Sequence, residues 1–175
     1  MKISKYKKFV EQLKNTSCPF PLRKADNGSK MVAGQTWSVT GGCGKNTPTW
    51  LLLLVKKTSE SLFNAVPLFR WGELAGPDDV YLPRELAGAD IVASLEMEAT
   101  VDRTMLDDCH GRLSEKAVRY VRTASATLDN PVQRNKFSWG IDYLGSNDHR
   151  LLFHRNINDR LTTLQENLRT FIFQK

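Results

Sequence analysis

The chain has 175 residues, 41% of them hydrophobic and 25% charged, and a formal charge of +6. That is ordinary globular composition, and it excludes a collagen-like, coiled-coil, disordered or disulfide-stapled chain. Its longest apolar run is Trp50–Val55, far short of the roughly 20 residues that a membrane span needs.

The charge is unevenly placed. Residues 1–30 hold eight Lys/Arg against two acids, residues 31–130 ten against thirteen, and residues 131–175 seven against four. The basic character therefore sits at the two ends. Such ends suit RNA or an acidic partner, or simply form the solvated side of a helix carrying Lys2, Lys5, Lys7, Lys8 and Lys14. No apolar segment follows the basic start, so no secretion signal is expected. Cys18, Cys43 and Cys109 are an odd number at wide spacings, as expected of reduced thiols in the cytoplasm. Cys109-His110 lacks the convergent ligands of a zinc site, and no metal or other cofactor is expected.

In chain order, Ile3, Tyr6, Val10 and Leu13 make one apolar stripe and predict a helix over residues 3–14. Cys18-Pro-Phe-Pro21 breaks it, and a turn-rich linker follows. A strand is expected around Gln35–Thr40, then a Gly41–Pro48 loop, then a buried strand over Trp50–Lys56. Leu62–Leu68 reads as the next strand, ended or bulged at Pro67. Asp79–Pro83 is a short strand, and Ile91–Ala99 alternates as a strand with one wet face. Thr104–Asp108 reads as a link. Ser114 is an N-cap opening a helix that runs to about Leu128, where Asp129-Asn-Pro131 stops it. Residues 132–147 are polar and irregular, with Phe137, Trp139, Ile141 and Tyr143 alternating as in a hairpin arm. The last helix starts near Asn147 or Asp148, and Ile157, Leu161, Leu164, Leu168 and Phe171 form its apolar stripe. That stripe packs either on the strands or on a partner. Short strands with Gly and Pro turns and no helical crossovers predict a small antiparallel barrel rather than a parallel sheet, α+β by class.

Five segments in this order resemble the MazF/PemK family of bacterial toxin–antitoxin ribonucleases. Ala33-Gly-Gln-Thr-Trp-Ser-Val39 is similar to the family's opening strand. Pro48 with Leu51-Leu-Leu-Leu-Val55 is similar to its second strand, and Asn64-Ala-Val-Pro-Leu68 to its third. Val80-Tyr-Leu-Pro83 resembles the strand before its dimer-facing segment. Asp108-Cys-His-Gly-Arg-Leu-Ser114 resembles the step into its closing helix. The resemblance implies a small SH3-like barrel over residues 31–128, flanked by an N-terminal helix and linker (1–30) and a C-terminal helical extension (129–175). It also implies a homodimer.

The family cuts RNA without a metal, using an arginine before the proline of the second strand and a hydroxyl after the third. A cation there stabilises the phosphorane charge, and a hydroxyl or base helps to move the 2′-OH proton. Thr47 stands where the arginine is expected, Phe69 or Arg70 where the hydroxyl is expected, and Gln35 in place of an acid. Lys45 and Arg70 can supply charge from nearby, although a lysine does not replace an arginine fork.

The other chemistry-bearing residues carry weaker signals. Gly41-Gly-Cys-Gly44 with Lys45 does not satisfy the phosphate-loop pattern and precedes a strand rather than a helix. Arg70-Trp71 can stack on bases or clamp a partner, or else Trp71 covers the barrel while Arg70 is solvated. His110 lies among Asp107, Asp108 and Arg112 with no nucleophile to pair with. His149 and His154 read as helix-surface residues. The leading expectation is a non-catalytic binding or regulatory protein of the bacterial cytoplasm, with Lys45, Arg70 and Trp71 meeting a protein partner or RNA and no membrane. The alternative is a metal-independent endoribonuclease using Lys45, Thr47, Arg70 and His110.

Overall fold

A computed structural model describes residues 30–39, 50–143, 145–146 and 148–173, the side chains of 167, 168 and 170–173 excepted. The expected N-terminal helix and the glycine-rich loop with Lys45 and Thr47 lie outside the described residues. The described strands are β1 (Gln35–Val39), β2 (Leu51–Lys57), β3 (Phe63–Phe69), β4 (Asp79–Leu82), β5 (Ile91–Ser94), β6 (Ala99–Val101) and β7 (Leu106–Arg112). The described helices are α1 (Arg84–Ala87), α2 (Glu115–Ser125), α3 (Pro131–Arg134) and α4 (His149–Phe173), with 3-10 turns at Gly72–Leu74 and Arg103–Met105.

All ladders are antiparallel and form one 7-stranded sheet in the order β4-β5-β3-β2-β1-β7, with β6 also on β3. The expected α+β class and antiparallel sheet are therefore observed. β4 and β7 end the path, and no ladder among the described residues joins them, so the sheet is open where a small closed barrel was expected.

The run Leu51–Val55 is apolar throughout because both faces of the sheet are covered. Leu52 and Leu54 join a cluster with Trp37, Phe63, Phe69 and Val92, which Phe153, Ile157 and Leu161 of α4 cap. Leu53 and Val55 join Val66, Leu68 and Ala93 on the opposite face, against Ala117, Val118, Val121 and Ala124 of α2. A central strand buried on both sides has no reason to alternate. α2 starts as expected at Ser114, whose Oγ accepts from the Ala117 amide at 3.1 Å. The described part of the α4 stripe faces the sheet, with Ile157 and Leu161 in the core and Leu164 packed against it. No described helix is long and apolar enough to cross a membrane.

Several expectations are corrected. Pro67 neither ends nor bulges β3: it lies opposite Leu52, and the irregularity falls between Leu54 and Lys56. Ile91–Ala99 is two strands, because Glu96, Met97 and Glu98 form the turn between β5 and β6. β5 has no wet face; all four of its residues are buried. The expected link at Thr104–Asp108 is largely β7, whose polar, exposed side chains hide the strand period. α2 ends at Ser125, and Asn130 then caps α3 with Pro131 at its first turn. Residues 137–143 form no hairpin arm. Residues 138–140 lie along the outer edge of β4, where Trp139 makes a lone antiparallel bridge to Val80, with Tyr81 N donating to Ser138 O at 2.8 Å and Gly140 N to Asp79 O at 2.8 Å.

Candidate functional site

Arg70 and Trp71 follow β3 at the bend into the Gly72–Leu74 turn, and both are half-buried. The Tyr81 hydroxyl donates to Gly72 O at 2.9 Å and fixes that bend. Trp71 packs against the apolar cluster that α4 caps. His110 is exposed on β7. Its neighbour Cys109 lies opposite Trp37, Trp37 opposite Leu52, and Leu52 opposite Pro67. His110 is thus three strands from β3, about 14 Å across the sheet, and level with Pro67 rather than Arg70. The ladder does not bring the two together. Lys45 and Thr47 lie outside the described residues.

The most concentrated chemistry sits instead where α4 begins, and one histidine expected on the helix surface belongs to it. Asp79 is 1% exposed, Arg150 3%, His154 6% and Asp148 8%. These groups meet because α4 crosses the start of β4 and the turn after β3. His154 Nε2 lies 3.1 Å from Asp79 Oδ2 and 2.9 Å from Leu74 O. Two acceptors face Nε2, so Nε2 carries the proton. Nδ1 faces the Tyr143 hydroxyl at 3.2 Å. Asp79 Oδ2 also accepts from the Gly76 amide at 2.7 Å. The rings of Phe69 and Phe153 stand edge-on to the imidazole.

One turn earlier, Asp148 caps α4 by accepting from the Arg150 amide at 3.0 Å. Arg150 NH2 returns to Asp148 Oδ2 at 2.6 Å, while its Nε donates to Asp148 Oδ1 at 3.0 Å. The same guanidinium donates to the carbonyls of Ala75 at 3.0 Å, Ile141 at 2.9 Å and Asp142 at 2.6 Å. It also lies 5.4 Å from the Tyr143 ring centre. One arginine thus ties two separated segments, at Ala75 and at Ile141–Asp142, to the start of α4.

No family model matches the chain, and no curated protein matches it.

Burial, reinforced by the charges of Asp79, Glu96 and Asp78 and opposed by Arg150, pushes the Tyr143 hydroxyl up to about 12. Tyr143 is therefore a neutral hydrogen-bonding partner and a poor nucleophile near pH 7. For His154 burial disfavours the charge, but the hydrogen bond and charge of Asp79, with the Leu74 carbonyl and Glu96, outweigh it and raise its pKa. The cluster is suited to holding elements together rather than to attacking a substrate. A sequence signal for it exists only in Asp148-His-Arg150 at the opening of a helix; Asp79 and Tyr143 carry none, because their roles depend on contacts across the chain.

The packing beside this cluster is tight. A Cβ added at Gly140 would collide with Gly76 O and lie 2.8 Å from the Ala75 carbonyl carbon. Backbone atoms cannot yield as a flexible side chain can. Gly140→Ala is expected to lower the unfolding free energy by about 1–3 kcal/mol, read as a lower urea midpoint. Gly88→Ala is no neutral control, since Gly88 has a left-handed φ of 75°; Ala126→Gly, at the exposed end of α2, is the milder comparison, at about 1 kcal/mol or less.

Proposed function

We propose that the protein is a non-catalytic binding or regulatory module of MazF/PemK-like, SH3-like ancestry that works in the bacterial cytoplasm on a protein partner or RNA. The observation that carries this reading is α4, held to the sheet by the buried His154–Asp79 contact and packed over the cluster against which Trp71 lies. Strand cleavage needs a cation and a proton acceptor converging on one phosphate. The ladder sets Arg70 and His110 on strands three steps apart and does not bring them together. Arg70 and Trp71 remain suited to binding, because an arginine beside an aromatic ring stacks on a base or seats in a protein hot spot. The outward face of α2 adds the exposed Lys116, Arg119 and Arg122 at helical spacing, which favours an anionic partner. The resemblance further leads us to infer a homodimer, which light scattering would report as twice the chain mass.

The test is incubation of the purified protein with a long mixed-sequence RNA in chelator, beside an Arg70→Ala, Lys45→Ala double variant. The RNA is expected to stay intact in both. Cleavage by the wild type and not by the double variant would overturn the proposal. RNA binding, followed by fluorescence anisotropy, is expected to weaken roughly tenfold in Trp71→Ala if RNA is the partner. Absence of any RNA binding would assign the surface to a protein.

A further inference from the structure

We propose that α4 is latched onto the sheet by a proton held on His154, so that the latch is tight in acid and loosens as the pH rises. The inference concerns the helix and its hold, and it stands whatever partner the protein binds.

The latch is built from groups on separate elements. Asp79 comes from the start of β4, Leu74 O from the turn after β3, Tyr143 from the segment before α4, and His154 from α4 itself. The imidazole is the only titrating link between Asp79 and Tyr143 among these contacts. When neutral it keeps its proton on Nε2 and accepts from the Tyr143 hydroxyl at Nδ1. When charged it donates at both nitrogens, and the tyrosine oxygen accepts. The Nε2 hydrogen bonds are the same in both forms, so the main difference between them is the charge set against Asp79 in a site closed to water. That charge interaction is strong where solvent is excluded.

The other ionisable groups around the site do not reverse the sign. Glu96, in the β5–β6 turn, favours the imidazolium, as Asp79 does. Arg150 and Asp148 neutralise each other through a bidentate pair. Tyr143 stays protonated near neutral pH because its hydroxyl titrates only at about 12. The folded pKa of His154 lies above its ordinary value of 6.5. A raised folded value gives stability that is fully present below the unfolded pKa and is lost as pH rises through the folded one. His149, whose Nδ1 lies 3.7 Å from Asp148 Oδ1, is the second histidine of the region and must be separated from His154.

The experiment is amide hydrogen exchange of the full chain between pH 6 and pH 9, corrected for intrinsic rates. It compares α4 amides around Phe153–Leu161 with β2 amides. Protection of α4 is expected to fall roughly three- to tenfold across that range while β2 changes little, since one unit of pKa difference is tenfold in the opening equilibrium. His149→Gln is expected to keep this dependence and His154→Gln to abolish it. Asp79→Asn should move the loss of protection to lower pH. If His154→Gln or Asp79→Asn does not fold, an NMR titration of the wild-type His154 ring decides, with a midpoint above 6.5 expected. An α4-to-β2 protection ratio that does not change with pH, or a dependence that survives in His154→Gln, would overturn the proposal. So would a ring titrating at or below the ordinary histidine value.

Discussion

Arg150→Ala is expected to cost about 3–5 kcal/mol of unfolding free energy, measured as a fall in the urea midpoint. The reason lies in what the truncation leaves behind. Asp148 would keep its charge in a buried position with its main partner gone. The carbonyls of Ala75, Ile141 and Asp142 would each lose a donor. Burying a charge without a partner costs far more than a surface pair is worth, and each orphaned carbonyl adds to the loss. Arg150→Lys keeps the charge but has no planar fork and reaches fewer of the five acceptor atoms, so it should recover only part of the loss. Arg150→Ala with Asp148→Ala should cost less than the sum of the two single variants, because the second change removes the stranded carboxylate. A loss below about 1 kcal/mol for Arg150→Ala would mean that the site admits water when the arginine leaves.

Phe153→Ala is expected to cost about as much, roughly 3–5 kcal/mol, by a different route. Phe153 is 1% exposed and lies with Ile157 and Leu161 in the core that α4 shares with the sheet. Its ring meets Phe69 edge-on with 5.0 Å between centres. Truncation empties that space, and the rigid β3 backbone beneath cannot collapse into it. Leu152, one residue earlier, is 39% exposed, so Leu152→Ala should lie well below Phe153→Ala. Calorimetry adds a second reading. One transition at lower temperature means that α4 and the sheet unfold as a unit. Two transitions mean that the helix can leave a folded sheet, the motion that a proton-dependent latch requires.

The central strands were legible because burial wrote itself into composition. Leu51–Val55 reads as a strand covered on both faces, and β1 and β3 have the β-branched and aromatic residues of buried strands. Ser114 marked the start of α2 through its side-chain oxygen. The edge of the sheet was not legible. β7 is made of Leu-Asp-Asp-Cys-His-Gly-Arg, and a strand that is half solvated and paired on one side needs no apolar period. The β5–β6 break was hidden because Leu95 and Met97 continued the alternation of the strand through a turn. The polar cluster escaped for a related reason. His154 occupies a helix position whose neighbours Arg155 and Asn156 suggest solvent, and only the fold brings Asp79 to it. Arg70 and Trp71 are where the sequence places them, beside the end of β3, but nothing in their own neighbourhood reveals that Trp71 packs on a cluster shared with a helix far along the chain.

The two-sided burial of β2 also sets the order in which the chain can become safe from aggregation. Five consecutive apolar residues with no charge or proline among them are a self-association hazard until both faces are covered. One cover begins at Glu115 and the other at His149, long after Lys57 in the chain. A growing or refolding chain must therefore carry a sticky strand until distant segments arrive, which favours slow folding and dependence on chaperones. In α4-truncated chains, one flank of that strand would stay bare permanently, and insolubility rather than loss of binding would be their first symptom.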